Sequence, residues 1–288
     1  MIKRAVLFKK EGKKVICLAC AHKCLIKKGK TGICAVRKNV DGELYSLVYG
    51  KIASIAVDAI EKKPLYHFLP GSKSLSLGTV GCNFKCKWCQ NYEISQASKK
   101  ENLFGQEKTP EEIVELAIMS GCKSISYTYN EPTIFIEFVK DTAELARKKG
   151  IKNVLVTNGY FSEESFDYIS NYIDAMNVDL KSINSKTYEK YCGAKLKSVL
   201  ENIKKINAKG IHLELTTLII PGINDSRKEI KKIANFIFSV NKDIPWHISR
   251  FFPKYELKNK KITPMETLAN AYKIGKKVGL KFIHVGNV

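Results

Sequence analysis

Relative to its opposite, acid is what this chain has least of: 28 Asp and Glu stand against 49 Lys and Arg, a formal charge of +21 over 288 residues. Such a surface suits an acidic partner, but lysine-rich faces are also ordinary solvated ones, so the balance alone names no ligand. Long hydrophobic runs are missing too. The longest apolar stretches, such as Leu215 to Ile220, are broken by threonine and end at Pro221, far short of the ~18 apolar residues that a membrane-spanning helix needs. Met1 to Lys10 holds too short an apolar run for a secretory signal. The expectation is a cytoplasmic protein without membrane contact, and 44% hydrophobic content is ordinary for a globular fold.

Cysteine is plentiful at nine, and in a reducing cytosol metal ligands and buried thiols are better readings than disulfides. Cys122 and Cys192 stand alone and read as structural residues; the other seven fall into two clusters. In Gly81-Cys82-Asn83-Phe84-Lys85-Cys86-Lys87-Trp88-Cys89-Gln90-Asn91 the spacing brings three thiolates, not four, to one point. Thiolates hold iron–sulfur clusters, and a cubane ordinarily takes one thiolate per iron. Three would leave one iron open to a substrate or cofactor. The competing reading is a structural zinc site completed by a distant ligand. Against it, Ser74 to Gly81 reads as a short alternating strand ending at glycine. That places the cysteines at a strand's C-terminal end, where α/β barrels carry their active sites.

From about Lys73 the chain alternates apolar runs with amphipathic helices, the pattern of repeated strand–helix units. Strands are expected at Leu75–Val80, Ser124–Tyr129, Asn153–Thr157, Ala175–Leu180, His212–Ile219, Pro245–Arg250 and Lys281–Val285. Thr109-Pro110-Glu111-Glu112 and Thr263-Pro264-Met265-Glu266 each offer a threonine N-cap, proline at the first helical position and a glutamate placed to close a capping box. Polar residues gather at the expected strand ends: Glu131 after the second, Thr157 and Asn158 after the third, Asp179 and Lys181 after the fourth, His247 and Arg250 in the sixth. Each has a bland counterpart, such as a helix N-terminal acid for Glu131, an Asp179–Lys181 ion pair, a core histidine or a surface arginine. The fold class is α/β, a partial, open TIM-like (β/α)6 barrel over residues 71–288.

Residues 1–70 read as a separate, Cys-rich basic module and linker, with 15 Lys and Arg against 5 Asp and Glu. Cys17, Cys20, Cys24 and Cys34 are spaced as one metal site folding a loop-rich segment, open to zinc or to a second iron–sulfur cluster, with His22 as a substitute ligand. Reduced cysteines packed as small hydrophobes are the alternative. A basic module suits an acidic protein or RNA, yet few aromatics interleave its lysines, which weighs against nucleic acid.

The C-x3-C-x2-C run resembles the signature of the radical S-adenosylmethionine (SAM) enzymes. The resemblance implies a 4Fe–4S cluster on Cys82, Cys86 and Cys89 and SAM on its open iron. Reductive cleavage would then give a 5'-deoxyadenosyl radical that takes hydrogen from a substrate. It implies that Trp88 lies against the adenine and that Glu131 meets the SAM ammonium. Thr157-Asn158-Gly159 and Asp179-Leu180-Lys181 resemble the SAM-site motifs of glycyl-radical-enzyme activases. Pyruvate formate-lyase activases carry aspartate where this chain has Val156, which puts their cation site in doubt. With the N-terminal cysteines and Asp58 to Ser72, nearly the whole chain is similar to the radical SAM member of the AmmeMemoRadiSam system, apart from Ala59 where proline is expected. The partners implied are an electron donor such as a ferredoxin or flavodoxin and a protein substrate. Modification of RNA or a small metabolite, and a non-catalytic zinc scaffold, stay open.

Overall fold

The computed structural model describes residues 1–100 and 103–288. Its centre is an eight-stranded sheet built in chain order: β1 (Ser54–Ala59), β2 (Lys73–Gly78), β3 (Ser124–Tyr127), β4 (Lys152–Thr157), β5 (Ala175–Asp179), β6 (His212–Ile219), β7 (Trp246–Arg250) and β8 (Ile283–Gly286). From β2 to β8 every neighbouring pair is parallel, while β1 runs antiparallel on the β2 edge. This is the open TIM-like barrel expected, with one more strand than the sequence pattern showed. β1 is a half-wet edge strand, with Ile55 and Val57 facing solvent.

Helices Pro110–Met119, Ile136–Lys148, Leu196–Lys209, Arg227–Val240 and Met265–Val278 supply most of the crossovers and the outer layer. Thr109 forms the expected capping box, its hydroxyl accepting from Glu112 N while Glu112 accepts from Thr109 N. The second box does not form. Pro264 is the N-cap, and the buried Thr263 hydroxyl instead donates to Ile219 O and accepts from Phe251 N, joining the ends of β6 and β7.

The N-terminal residues are less loop-like than their spacing suggested. They form two small three-stranded antiparallel sheets, Lys3–Arg4 with Glu43–Ser46 and Arg37–Val40, and Phe8–Glu11 with Lys14–Cys17 and Leu25–Ile26. Ala5, Val15, Ala19, Ile26 and Leu44 make a core of their own there.

Between β1 and β2 the chain runs inside the barrel. Ile60 and Leu65 pack on Val154 and Ala175, Pro64 O accepts from Asn177 Nδ2, and the Glu214 carboxylate accepts from Tyr66 N and His67 N. Glu214 also accepts from His212 Nε2 at 2.9 Å and His247 Nε2 at 2.6 Å. Although burial raises a carboxyl's pKa, these four donors hold Glu214 down at about 2. A depressed carboxyl stabilises the fold above its ordinary value of 4.5 and loses that contribution as pH falls through 4.5 toward 2. Glu214→Gln is therefore expected to lower stability near neutral pH by roughly 3 kcal/mol at most. It should also flatten the acid limb of a denaturation midpoint-versus-pH curve, and identical acid limbs for the two proteins would contradict this.

Candidate active site

β2 ends at Gly78, and the chain turns through Gly81 into the cysteine loop. Gly81 has φ +95°, and a Cβ there would meet Val36 Cγ1 at 2.8 Å and Cys34 O at 2.9 Å, so only glycine fits. The loop is pinned from several sides. Gly81 N donates to Ile94 O, Lys85 N to Cys192 O and Lys87 N to Tyr191 O. Asn130, just past β3, donates through Nδ2 to Gly81 O at 2.9 Å and to Thr79 Oγ1 at 3.1 Å.

Cys82, Cys86 and Cys89 line one cavity of about 420 Å³ at the C-terminal ends of the strands. Trp88, Glu131, Thr157, Asn158, Asp179 and Lys181 line the same cavity. Among the described residues no three His, Cys, Asp or Glu side chains are already drawn together as metal ligands. Cys82 Sγ accepts from Phe84 N at 3.4 Å, Cys89 Sγ lies 3.2 Å from Ser95 Oγ, and the Cys86 thiol meets that of Cys192. Burial, together with the neighbouring Glu131 charge, pushes the Cys82 thiol well above its ordinary range, and burial does the same in lesser degree to Cys89. Thiols in such surroundings stay protonated until a cation takes the proton's place, which is the donor set a cluster uses.

Glu131 is the hub of the opposite wall. Its Oε1 accepts from Thr133 N, Thr133 Oγ1 and Thr157 Oγ1, and its Oε2 accepts from Asn158 N at 2.8 Å. The carboxylate thus clamps the end of β3 to that of β4. Burial raises its pKa, and these donors oppose the rise. Asn158 Nδ2 donates to Asn83 Oδ1 at 2.8 Å, tying the β4 end to the cysteine loop. Lys181 Nζ is 2.8 Å from Asp179 Oδ2. Burial would discharge this lysine, yet Asp179 and the Cys86 and Cys192 sulfurs hold its pKa well above the ordinary value. The ion pair and the cavity wall are the same two residues.

Two residues singled out in the sequence lie elsewhere. His247 points into the barrel, bonded to Glu214 and stacked on His284 at 5.1 Å between ring centroids. Arg250 donates through Nε to Thr263 O and lies over Phe252. Neither lines the cavity, whereas Ser249 between them does. The two-residue strand period puts Ser249 on the inner face and Arg250 on the outer one. Lys63, Thr216 and Leu218 line the cavity as well, without a motif to mark them. Lys63 is buried against Asp58 at 2.8 Å and lies over the Tyr129 ring. Its only sequence signal was a lysine in the run joining module to barrel. Val156, the departure from the activase pattern, lines the cavity and packs on the strap between β1 and β2, at Ile60 and Leu65, that fills the barrel.

Residues 76–237 match the model of the radical SAM superfamily. The chain belongs to that superfamily. Membership implies a 4Fe–4S cluster and SAM, and the three-thiol, carboxylate-walled cavity suits both. An uncharacterised protein of Methanocaldococcus jannaschii is 44% identical over 289 residues, covering 100% of this chain and 86% of that one. The pyruvate formate-lyase-activating enzyme of Clostridium pasteurianum is 24% identical over 56% of this radical SAM chain and 67% of its own. Among solved structures, a domain of the pyruvate formate-lyase-activating enzyme from Bacteroides vulgatus aligns with TM-score 0.50 at 22% identity, covering 57% of this chain and 99% of that one. Among the described residues no helix is long and apolar enough to cross a membrane.

Glu131→Gln is expected to cost about 1–3 kcal/mol, because an amide sets its own donor against the N–H and O–H groups now aimed at the carboxylate. Urea denaturation of the wild-type and variant proteins checks it. An unchanged midpoint would mean that the carboxylate is not what joins β3 to β4.

Proposed function

We infer that the chain is a radical SAM oxidoreductase of the glycyl-radical-activase type, taking hydrogen from a protein substrate. The observation that carries this is the gathering of Cys82, Cys86, Cys89, Glu131, Asn158, Asp179 and Lys181 around one strand-end cavity. Cys82, Cys86 and Cys89 would hold the cluster, which with SAM supplies one-electron cleavage of a carbon–sulfur bond. Among the described residues Glu131 Oε2 accepts from Asn158 N alone, leaving an acceptor position suited to an ammonium group. Trp88, buried beside Tyr191, offers a flat apolar face for an adenine ring. Lys181 carries positive charge against the wall, suited to a carboxylate or a sulfur-bound cluster charge. Thr157 and Asn158 position the wall through Glu131 and Asn83.

A protein substrate is favoured by a relative named as an activating enzyme of another enzyme. Lys85 in the cysteine loop and Lys190 in the turn this loop bonds to are both exposed, positive charge suited to an acidic electron donor of the ferredoxin or flavodoxin kind.

Cys82→Ala, Cys86→Ala and Cys89→Ala are each expected to reduce SAM cleavage under anaerobic reduction to the uncatalysed background. The substrate class is read by deuterium transfer: a deuterated protein partner should pass label into 5'-deoxyadenosine. SAM cleavage without label from any protein, but with label from a small metabolite or RNA, would overturn the protein-substrate reading. A protein that binds only zinc and never cleaves SAM would overturn the enzyme reading altogether.

A further inference from the structure

The N-terminal cysteines meet on a second cavity, and it differs from the first in size. Cys17, Cys20, Cys24 and Cys34 line an enclosed space of about 10 Å³, close to the smallest volume that admits one water-sized particle. That space is of single-ion size, which favours one ion over a cubane cluster. The walls are closed. Cys17, Cys20 and Cys34 are buried, and Val15, Ala19 and Ile26 pack around them.

Two further features call for an acceptor inside. Arg37 lines the cavity at 1% exposure and its guanidinium meets Glu137 with both terminal nitrogens, but its Nε has no acceptor among the described residues. Asn83 lines it at 1% exposure, and among the described residues its Nδ2 has no acceptor either. Two orphaned donors on one dry cavity carry a desolvation cost that protonated thiols, weak acceptors, do not relieve, and metal-bound thiolates do. The backbone is already arranged to serve thiolates. The amides of His22 and Val36, each two residues beyond a cysteine, are directed at the Cys20 and Cys34 sulfurs. Holding these turns requires left-handed backbone at non-glycine residues, φ +43° at Lys23 and φ +61° at Ala35, a strain that persists where the surroundings enforce it.

We propose that Cys17, Cys20, Cys24 and Cys34 bind a single zinc ion as four thiolates, and that no second iron–sulfur cluster forms there. On binding, four thiol protons leave to solvent and no electron is transferred. The four sulfurs complete the tetrahedral shell, so the site is closed and structural rather than catalytic. With four thiolates filling the shell, His22 is left a positioning role, its Nε2 donating to Asn83 O at 2.9 Å. That bond gives the ion a task. Asn83 follows Cys82 directly, Ala21 N donates to Tyr160 O, and Cys20 bridges to Phe161, so the zinc loop braces both the cysteine loop and the turn that follows β4. The assignment concerns a site separate from the SAM cavity, and it stands or falls by metal content whatever the substrate proves to be.

The test is metal analysis of the whole protein purified anaerobically. The expected result is about one zinc per chain beside the iron of a single cluster, about four irons. Cys17→Ser and Cys34→Ser should lose the zinc and keep the iron and its visible absorption. Should those variants fail to fold, wild-type protein produced with cobalt in place of zinc decides: the intense visible bands of tetrahedral cobalt–thiolate are expected. About eight irons with no zinc, iron loss in Cys17→Ser equal to that in Cys82→Ala, or an absence of cobalt–thiolate bands would overturn the proposal.

Discussion

Everything at the mouth of this barrel depends on burying one carboxylate. Glu131 is 1% exposed and surrounded by Thr133, Thr157 and Asn158, so its charge is affordable only while all of those donors stay in place. Its two oxygens join β3 to β4, and through Asn158 they fix Asn83 and hence the first cysteine of the loop. A single constraint thus couples strand register, loop position and the electrostatics of Cys82, whose thiol is held up partly by the Glu131 charge.

The loop is braced on its other sides by elements distant in sequence. The turn ending at Cys192 accepts from Lys85 N and presses its thiol on Cys86. The N-terminal lobe reaches Asn83 through His22, and it reaches the start of the helix Glu163–Ile169 that follows β4 through Ser162 and Ser165, whose hydroxyls donate to Leu18 O and Ala19 O. The lobe and the barrel are therefore in contact where the chemistry is expected, and Gly81 touching Cys34 O shows how closely. A site built this way has little freedom to reposition its thiols, which suits ligands of fixed geometry.

Much of this was legible in the chain itself. The parallel strands announce themselves as apolar runs, and Glu131, Asn158, Asp179 and Lys181 fall at their C-terminal ends, where a barrel gathers side chains from separate units. What stayed hidden depends on pairing and direction. β1 is an edge strand whose apolar residues, Ile55 and Val57, face solvent. Thr263 looks like a cap until its burial between β6 and β7 gives the hydroxyl other work. Arg250 looks like a strand-end ligand until the pleat turns it outward and brings Ser249 in. His247 belongs to a cluster with His67, His212 and His284 around Glu214 and the strap through the barrel; four residues so far apart in sequence share no local pattern.

The central claim is that three thiolates hold a cluster whose fourth iron is left for SAM. Electron paramagnetic resonance of the anaerobically reduced protein, recorded with and without SAM, tests it most directly. A reduced 4Fe–4S signal whose g-values shift when SAM is added is the predicted result. A signal indifferent to saturating SAM, as from a cluster with every iron held by the protein, would contradict it.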